Sequence, residues 1–558
     1  MKLVECVPNF SEGRDKKILD AIAAAITSVK NITMLDVDPG ADTNRTVVTF
    51  VGPPEAAVEA AFRGIAKAAE LIDMSKHSGA HARHGATDVC PFVPVSEMTM
   101  DECVELARKL GRRVGDELGI PVYLYEHAAS KPEWSNLAVV RKGEYEALPA
   151  KMKDPQWKPD FGPQVFNAKS GVVTIGAREF LIAYNINLNT RDKKKAHDIA
   201  LSIRESGRFE RDSKGKVKRD ANGEKLRVQG LFTNCKAVGW FIDEYMRAQI
   251  SMNLTNFKIT PPHIVLEKVR DLAAQSGIQV TGSELVGLIP KEAMILAATY
   301  YLERLGESCG LPERMLMETT IQSMGLNDLG PFDLDEKIIE YAIARKDALV
   351  AMKINDFADE LSTDSPAPGG GSVAALCAAL SGGLSAMVGN LTAGKKGYEG
   401  VDAEVKQIAV EGQGIKDRAL AAIDSDTDAF YEMMDAARLP KKTEADKAAR
   451  NAAIQQSTKN AILAPLETLQ IAWEGVQLAE RIAAVGNANA LSDAGVAAIN
   501  ACAAAKGAHL NIQINMSGVD DEAWKRDISA KADGLLKQTE DVAVAVEHTV
   551  RQKIAAQA

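Results

Sequence analysis

Short apolar runs alternate with helix-period segments as far as about residue 289, and beyond about Asp356 the chain turns Ala-rich with helix signals almost throughout. The first pattern occurs twice in the order β-α-β-β-α-β, the split unit of ferredoxin-like folds. The second is the pattern of a helix bundle. The sequence therefore predicts an α+β N-terminal half of two ferredoxin-like subdomains, followed by an all-α helix-bundle C-terminal domain. The 558 residues give ample length for more than one core.

In the first pass, residues 3–7 are a short apolar run, and Ile18, Ile22 and Ile26 recur at helical spacing. Residues 32–37 and 46–51 read as strands, Pro54 opens a helical stretch to about Met74, and residues 89–95 return to strand. In the second pass, residues 180–187 read as strand and 192–205 as helix, then 237–241 and 249–254 as strands. A helix over 263–276 follows Pro261 and Pro262, and 284–289 closes the unit as a strand. The expected domains are 1–178 and 179–330, a linker over 331–355, and a helical domain over 356–558. Between helix and strand of the second unit, residues 211–227 form a basic insertion in which Asp212 and Asp220, and Gly215 and Gly223, recur with a period of eight. Asn222-Gly223 marks a tight turn. The segment reads as a solvated hairpin, with a basic flap over an anionic substrate as the functional alternative.

Composition narrows the function. Sixty-six basic against 76 acidic residues give a formal charge of −10, which argues against general nucleic-acid or anionic-membrane binding. Seven scattered cysteines without a CxxC pair read as reduced thiols rather than a disulfide frame or a zinc site, and residues 1–5 open no apolar run of signal-peptide length. Residues 365–394 carry no charge, but their core of Ala, Gly and Ser reads as a tightly packed helix inside a soluble domain. The expected location is cytoplasmic.

Three motifs can carry chemistry. The first, His77 to Asp88, places three of the eight histidines (His77, His81 and His84) in eight residues. Imidazoles at this spacing with Asp88 can ligate a metal, but Gly79 and Gly85 break the helix that would hold such a face. A histidine general base with Arg83 beside it for an anionic substrate is more economical, and no metal is expected. The second motif is Asp424, Asp426 and Asp428. It imitates a calcium loop as far as Asp435, yet Ala429 stands where that loop needs glycine and the flanks read as helix. On a helix Asp424 and Asp428 share a face and Asp426 points away. The third is Gly369, Gly370, Gly371 and Ser372 at a helix start, where backbone N–H groups can close on an anion; it lacks the lysine of a P-loop, and a flexible lead-in is the plain alternative.

Several stretches resemble a known family. Residues 4–13 (VECVPNFSEG), 36–38, 43–46, 88–92 (DVCPF), 143–149, 160–163 and 185–188 resemble glutamate formimidoyltransferases. Residues 367–374, 438–441 and 486–487 resemble formimidoyltetrahydrofolate cyclodeaminases. They occur in the order of the bifunctional formimidoyltransferase-cyclodeaminase family and span nearly the whole chain. The resemblance implies two reactions of histidine degradation. A formimino group passes from N-formimino-L-glutamate to tetrahydrofolate, leaving glutamate; the 5-formimino product then closes to 5,10-methenyltetrahydrofolate and releases ammonia. It further implies His81 as transferase base, although Ala82 replaces the family's proline and His84 is an extra imidazole. The implied folate loop is Gly162, Pro163, Gln164, Val165, Phe166, Asn167, Ala168, Lys169, Ser170 and Gly171, and the implied cyclodeaminase acid is Asp426.

The chemistry suits these residues. A neutral His81 can accept the proton that folate N5 loses, with Asp38 orienting the imidazole and Arg83 supporting the site. Asp426 can shuttle a proton to the departing amine, and Gly369–Ser372 can receive carboxylates of a polyglutamylated folate. Tetrahydrofolate is then a co-substrate, and a homo-oligomer with passage of folate between sites is implied. Two rivals remain: a methenyltetrahydrofolate cyclohydrolase in the helical half, or a folate-binding scaffold with a silent helical half.

Overall fold

A computed structural model describes residues 2–41, 43–79, 82–344 and 348–556. The chain divides into two compact units, Met1–Met294 with Met324–Ala344, and Ile295–Ser323 with Arg345–Ala558.

The first unit contains two sheets. One has seven strands: β1 (Leu3–Cys6), β2 (Asn9–Phe10), β3 (Thr33–Gly40), β4 (Arg45–Gly52), β5 (Thr87–Ser96), β6 (Val122–Glu126) and β7 (Val173–Ala177). β3 flanks β4, the broken strand β1/β2 lies between β4 and β5, and all of these pair antiparallel. The sheet then continues through β7 to β6 by parallel pairing, reached through helix α3 (Met100–Leu118). This extension exceeds the four strands expected for residues 1–178. β6 and β7 are short and separated by a long irregular stretch, so no sequence period marks them.

Strand alternation gives this sheet two distinct faces. Val4, Cys6, Val48, Phe50, Cys90 and Phe92 join α1 (Lys16–Thr27), α2 (Pro54–Leu71) and α3 in the core. Their neighbours Glu5, Val7, Val47, Thr49, Val89 and Pro91 line a cavity. α2 approaches α1 closely because Gly64 has no side chain; a Cβ there would sit 3.0 Å from Ile26.

The second sheet runs β8 (Ile182–Leu188), α4 (Lys193–Ile203), β9 (Cys235–Ile242), β10 (Arg247–Leu254), α5 (Pro262–Gln275), β11 (Val280–Val286). Its strand order is β9-β10-β8-β11, antiparallel throughout. Residues 211–227 protrude between α4 and β9 as an exposed arm, with Arg208–Phe209 paired to Arg227–Val228 at its base. Asp212 and Asp220 each accept backbone N–H groups two and four residues on, which explains the period of eight.

Ile295–Ser323 groups with the helical unit in its packing. Asn390 bonds both Ser308 Oγ (2.7 Å) and Gly310 O (2.6 Å), and Gly310 lies so close to Ala409 that a Cβ would meet it at 2.4 Å. The rest of this unit is a bundle of α6 (Gly370–Thr392), α7 (Asp402–Arg438), α8 (Glu444–Val485), α9 (Leu491–Met516) and α10 (Glu522–Ala555). α6 is long and apolar enough to cross a membrane by length and composition, yet most of it is buried within the bundle. Its glycines permit close packing: a Cβ on Gly382 would meet the Gly412 carbonyl at 2.7 Å.

Candidate functional sites

The first site is a cavity of about 550 Å³ in the α/β unit, walled by both sheets. From the first sheet come Glu5 (β1), Asp36 and Asp38 (β3), Arg45 (β4), and Tyr125 and Glu126 (β6), with Arg141 and Arg178 from connecting segments. The second sheet contributes Ala183, Lys236 and Asn253. Beneath Arg45 and Arg141 lies Asp88, wholly buried, which accepts from Arg45 Nη1 at 3.2 Å, from Arg141 Nη2, and from the His84 backbone N–H at 3.1 Å. Two guanidiniums share one carboxylate, so the cluster is net positive. Burial brings Arg45 down to about 10, which leaves it protonated at neutral pH. Burial also raises Asp36, with Asp38 beside it adding to the rise. Glu5 is pushed up to about 7 by burial, partly countered by Arg178.

The structure distributes the expected transferase residues unevenly. His81 lies outside the described residues. Asp38 lines the cavity, its backbone paired with Val47. Arg83 is committed elsewhere: it bonds Glu144 (3.1 Å), Glu146 (2.7 Å) and His77 Nδ1 (3.3 Å), so its charge is already matched. His77 donates Nε2–H to Asn44 O at 2.9 Å, consistent with a neutral ring accepting at Nδ1. His84 is a core histidine, its Nε2 facing Thr174 Oγ1 at 2.6 Å, and burial lowers it to about 4. Among the described residues no group of three or more His, Cys, Asp or Glu side chains is arranged to hold a metal.

The loop from Gly162 to Gly171 does not line the cavity; it packs against the histidine segment. Ala86 N–H bonds Ser170 O (2.9 Å), Val172 N–H bonds His84 O (3.1 Å), and Tyr145 Oη–H bonds Ala168 O (2.6 Å). Gly171 needs to be glycine there, with φ +65° and a Cβ position 2.2 Å from His84 O. Phe166 meets the Tyr145 ring at 5.6 Å, and Val165 is exposed. Loop and cavity are joined through His84, whose carbonyl holds the loop while its N–H holds Asp88.

The second site lies in the bundle. Asp426 is within the unbroken helix α7, which removes the calcium-loop geometry. Its carboxylate rests on the first turn of α6, where Ser372 Oγ donates to Oδ2 at 3.3 Å. Gly371 creates the seat: a Cβ there would fall 2.2 Å from Asp426 Oδ1. Burial raises the Asp426 carboxyl and the Ser372 bond pulls it part of the way back. The turn at Gly369, Gly370, Gly371 and Ser372, expected to receive folate carboxylates, presents its Ser372 hydroxyl to a carboxylate of the protein's own. Asp424 accepts the Leu349 backbone N–H at 2.7 Å and so anchors the lead-in segment. The sequence reading missed Glu5, Arg141, Arg178 and Asn511, whose side chain stands beside Gly370. Only Glu5 left a trace, as a lone charge within an apolar strand.

A polar α/β cavity and a carboxylate seated in a helix bundle give this one chain two separate candidate centres. Residues 3–178 match the family described as formiminotransferase domain, N-terminal subdomain, residues 183–344 the formiminotransferase domain, and residues 353–534 formiminotransferase-cyclodeaminase. The formimidoyltransferase-cyclodeaminase of Mus musculus is 40% identical over 551 residues, 98% of each chain. A glutamate formimidoyltransferase of Thermoplasma acidophilum is 47% identical over 55% of this chain and 94% of its own. A methenyltetrahydrofolate cyclohydrolase of Methylorubrum extorquens is 39% identical over 36% of this chain and 97% of its own. The chain belongs to the formimidoyltransferase-cyclodeaminase family.

Proposed function

We propose that the chain is a bifunctional folate enzyme of histidine degradation. It transfers the formimino group of N-formimino-L-glutamate to tetrahydrofolate, then cyclises 5-formiminotetrahydrofolate to 5,10-methenyltetrahydrofolate with loss of ammonia. The observation that carries this reading is likeness over 98% of the chain to a relative named for both activities. The transferase occupies residues 1–330, each β-α-β-β-α-β run being a ferredoxin-like unit, and the cyclodeaminase residues 356–558.

In the first reaction folate N5 attacks the formimino carbon, His81 takes the N5 proton, and glutamate leaves as its amine. Asp38 orients the base, and the Gly162–Gly171 loop holds the folate. In the second, N10 attacks the same carbon. A proton must pass from N10 to the departing nitrogen, and Asp426, its carboxyl raised by burial, is placed to carry it. No step calls for a metal. Polyglutamylated folate is the favoured co-substrate, a homo-oligomer is supported by the exposed Leu380, Met387 and Leu391 of α6, and seven free cysteines favour the cytoplasm.

The test is a one-pot assay with formiminoglutamate and tetrahydrofolate, following glutamate, ammonia and methenyltetrahydrofolate together. All three rise in step on this reading. The likeness to a cyclohydrolase favours one alternative for the helical half; glutamate without ammonia would select it. No glutamate would remove the transferase and leave a folate-binding scaffold.

A further inference from the structure

Glu5 is 2% exposed, and strand alternation turns it toward the cavity while Val4 and Cys6 enter the core. Among the described residues no hydrogen-bond donor or cation stands within bonding distance of its carboxyl; Arg178 acts on it only at longer range. A buried carboxyl without a partner carries an uncompensated desolvation cost. A second group on the wall shares this condition: Arg141 Nε is buried with no hydrogen-bond partner, while Nη2 of the same guanidinium is held by Asp88. Arg178, also on the wall, donates to the Glu179 backbone carbonyl through Nη1. The cavity therefore offers a buried acceptor and half-buried cationic donors to whatever enters it.

A ligand that satisfies both must bring a cationic N–H donor and a carboxylate on one small skeleton. Formiminoglutamate is such a molecule: its N–C–N amidinium presents paired N–H groups, the match for a carboxylate, and its two carboxylates match guanidinium. Resting on the transferase reading above, we propose that Glu5 is the amidinium seat of that site, pairing with the formimino group while Arg141 and Arg178 take the substrate carboxylates. The seat makes the site selective for the charged formimino group over a neutral formyl group. Burial favours the neutral acid when Glu5 stands alone, and an amidinium beside it favours the ionised form.

Two measurements test this. On the unmodified chain, calorimetry compares formiminoglutamate with N-formylglutamate, which has the same skeleton but a neutral oxygen in place of the terminal nitrogen. The expected preference for formiminoglutamate is about tenfold or more, the size of a charge-assisted pair; equal affinity overturns the proposal. Steady-state kinetics of Glu5→Gln should then show KM for formiminoglutamate raised about 10–150-fold with KM for tetrahydrofolate unchanged, and the preference over N-formylglutamate lost. A rise only in the tetrahydrofolate KM would assign Glu5 to the pterin, and a fall in kcat alone would make it a proton donor; each overturns the proposal and leaves the transferase standing. Absence of glutamate release from the unmodified chain would remove the transferase and this assignment together.

Discussion

Replacing Gly371 by alanine inserts one methyl group at the floor of the Asp426 seat. The new Cβ would fall 2.2 Å from Oδ1, 2.4 Å from Cγ and 2.5 Å from Oδ2, whereas ordinary contact begins near 3.4 Å. The carboxylate must retreat by about 1.2 Å, the gap between those limits, and the 3.3 Å Ser372 bond lengthens or breaks. A misplacement near 1 Å costs about 100-fold, and a general acid contributes about 10²–10⁴-fold in all. Ammonia release should therefore fall by about 100-fold or more. The fold should survive, because alanine's helix preference of about 0.5–1 kcal/mol partly offsets an overpacking cost of about 1–3 kcal/mol. Glutamate release reports on the other unit and should stay within about twofold, since no residue of the α/β cavity is altered. The assay follows glutamate and ammonia in one reaction, with far-UV circular dichroism to verify the bundle. Unchanged ammonia release would show that Asp426 does not act from this seat.

Other perturbations separate the remaining claims. Ser372→Ala removes a bond that lowers the Asp426 carboxyl, so the alkaline limb of ammonia release should move to higher pH while the glutamate profile holds; an unmoved limb refutes the proton-shuttle role. Glu5 and His84 give opposite stability slopes. The Glu5 carboxyl is raised from 4.5 to about 7, so the folded state binds the extra proton and stability falls as pH rises through that window, by about 3 kcal/mol. His84 is lowered from 6.5 to about 4, so the unfolded state binds the extra proton and about 3 kcal/mol is lost as pH falls through its window. Urea midpoints of the α/β unit should thus rise with pH from 4.5 to 6.5 in Glu5→Gln and fall over the same range in His84→Gln, and parallel curves would contradict both burials. Joining Glu210 to Arg227 through a two-residue turn should leave both activities within about twofold, as the arm is exposed and closed by its own Asx turns.

What the sequence disclosed follows from how locally each feature is determined. The strands and helices of the second sheet were legible because period-2 and period-3.6 runs are set by near neighbours, though the closing strand came out as Val280–Val286 rather than 284–289. β6 and β7 were not, since five-residue strands joined in parallel owe their existence to the sheet edge that accepts them. At the sites, the glycine turn before α6 was visible, but the carboxylate that packs on it was not. Asp426 is 54 residues from Ser372, and which helical face meets the turn is fixed only when α6 and α7 pack. Arg83 misled for a similar reason: beside three histidines it reads as a free cation, and its counterions Glu144 and Glu146 arrive from a distant loop.

On the proposed assignments, the two sites meet one chemical requirement in different ways. In both reactions a nitrogen attacks the formimino carbon and another nitrogen leaves, so positive charge or a proton must be managed on nitrogen at neutral pH. A carboxyl with an ordinary pKa is ionised there and holds little acid in reserve. Asp426 is shifted upward by burial, and its bond from Ser372 pulls it part of the way back. Glu5 is shifted by burial with no donor to steady it, so an arriving amidinium can ionise it. The distinction predicts which variant each site tolerates. Asparagine at 426 keeps the seat's shape but cannot move a proton, so ammonia release should be lost even at saturating folate. Glutamine at position 5 keeps a hydrogen bond but not the charge, so glutamate release should recover as formiminoglutamate is raised. Recovery at saturation in Asp426→Asn, or its absence in Glu5→Gln, would reverse the two roles.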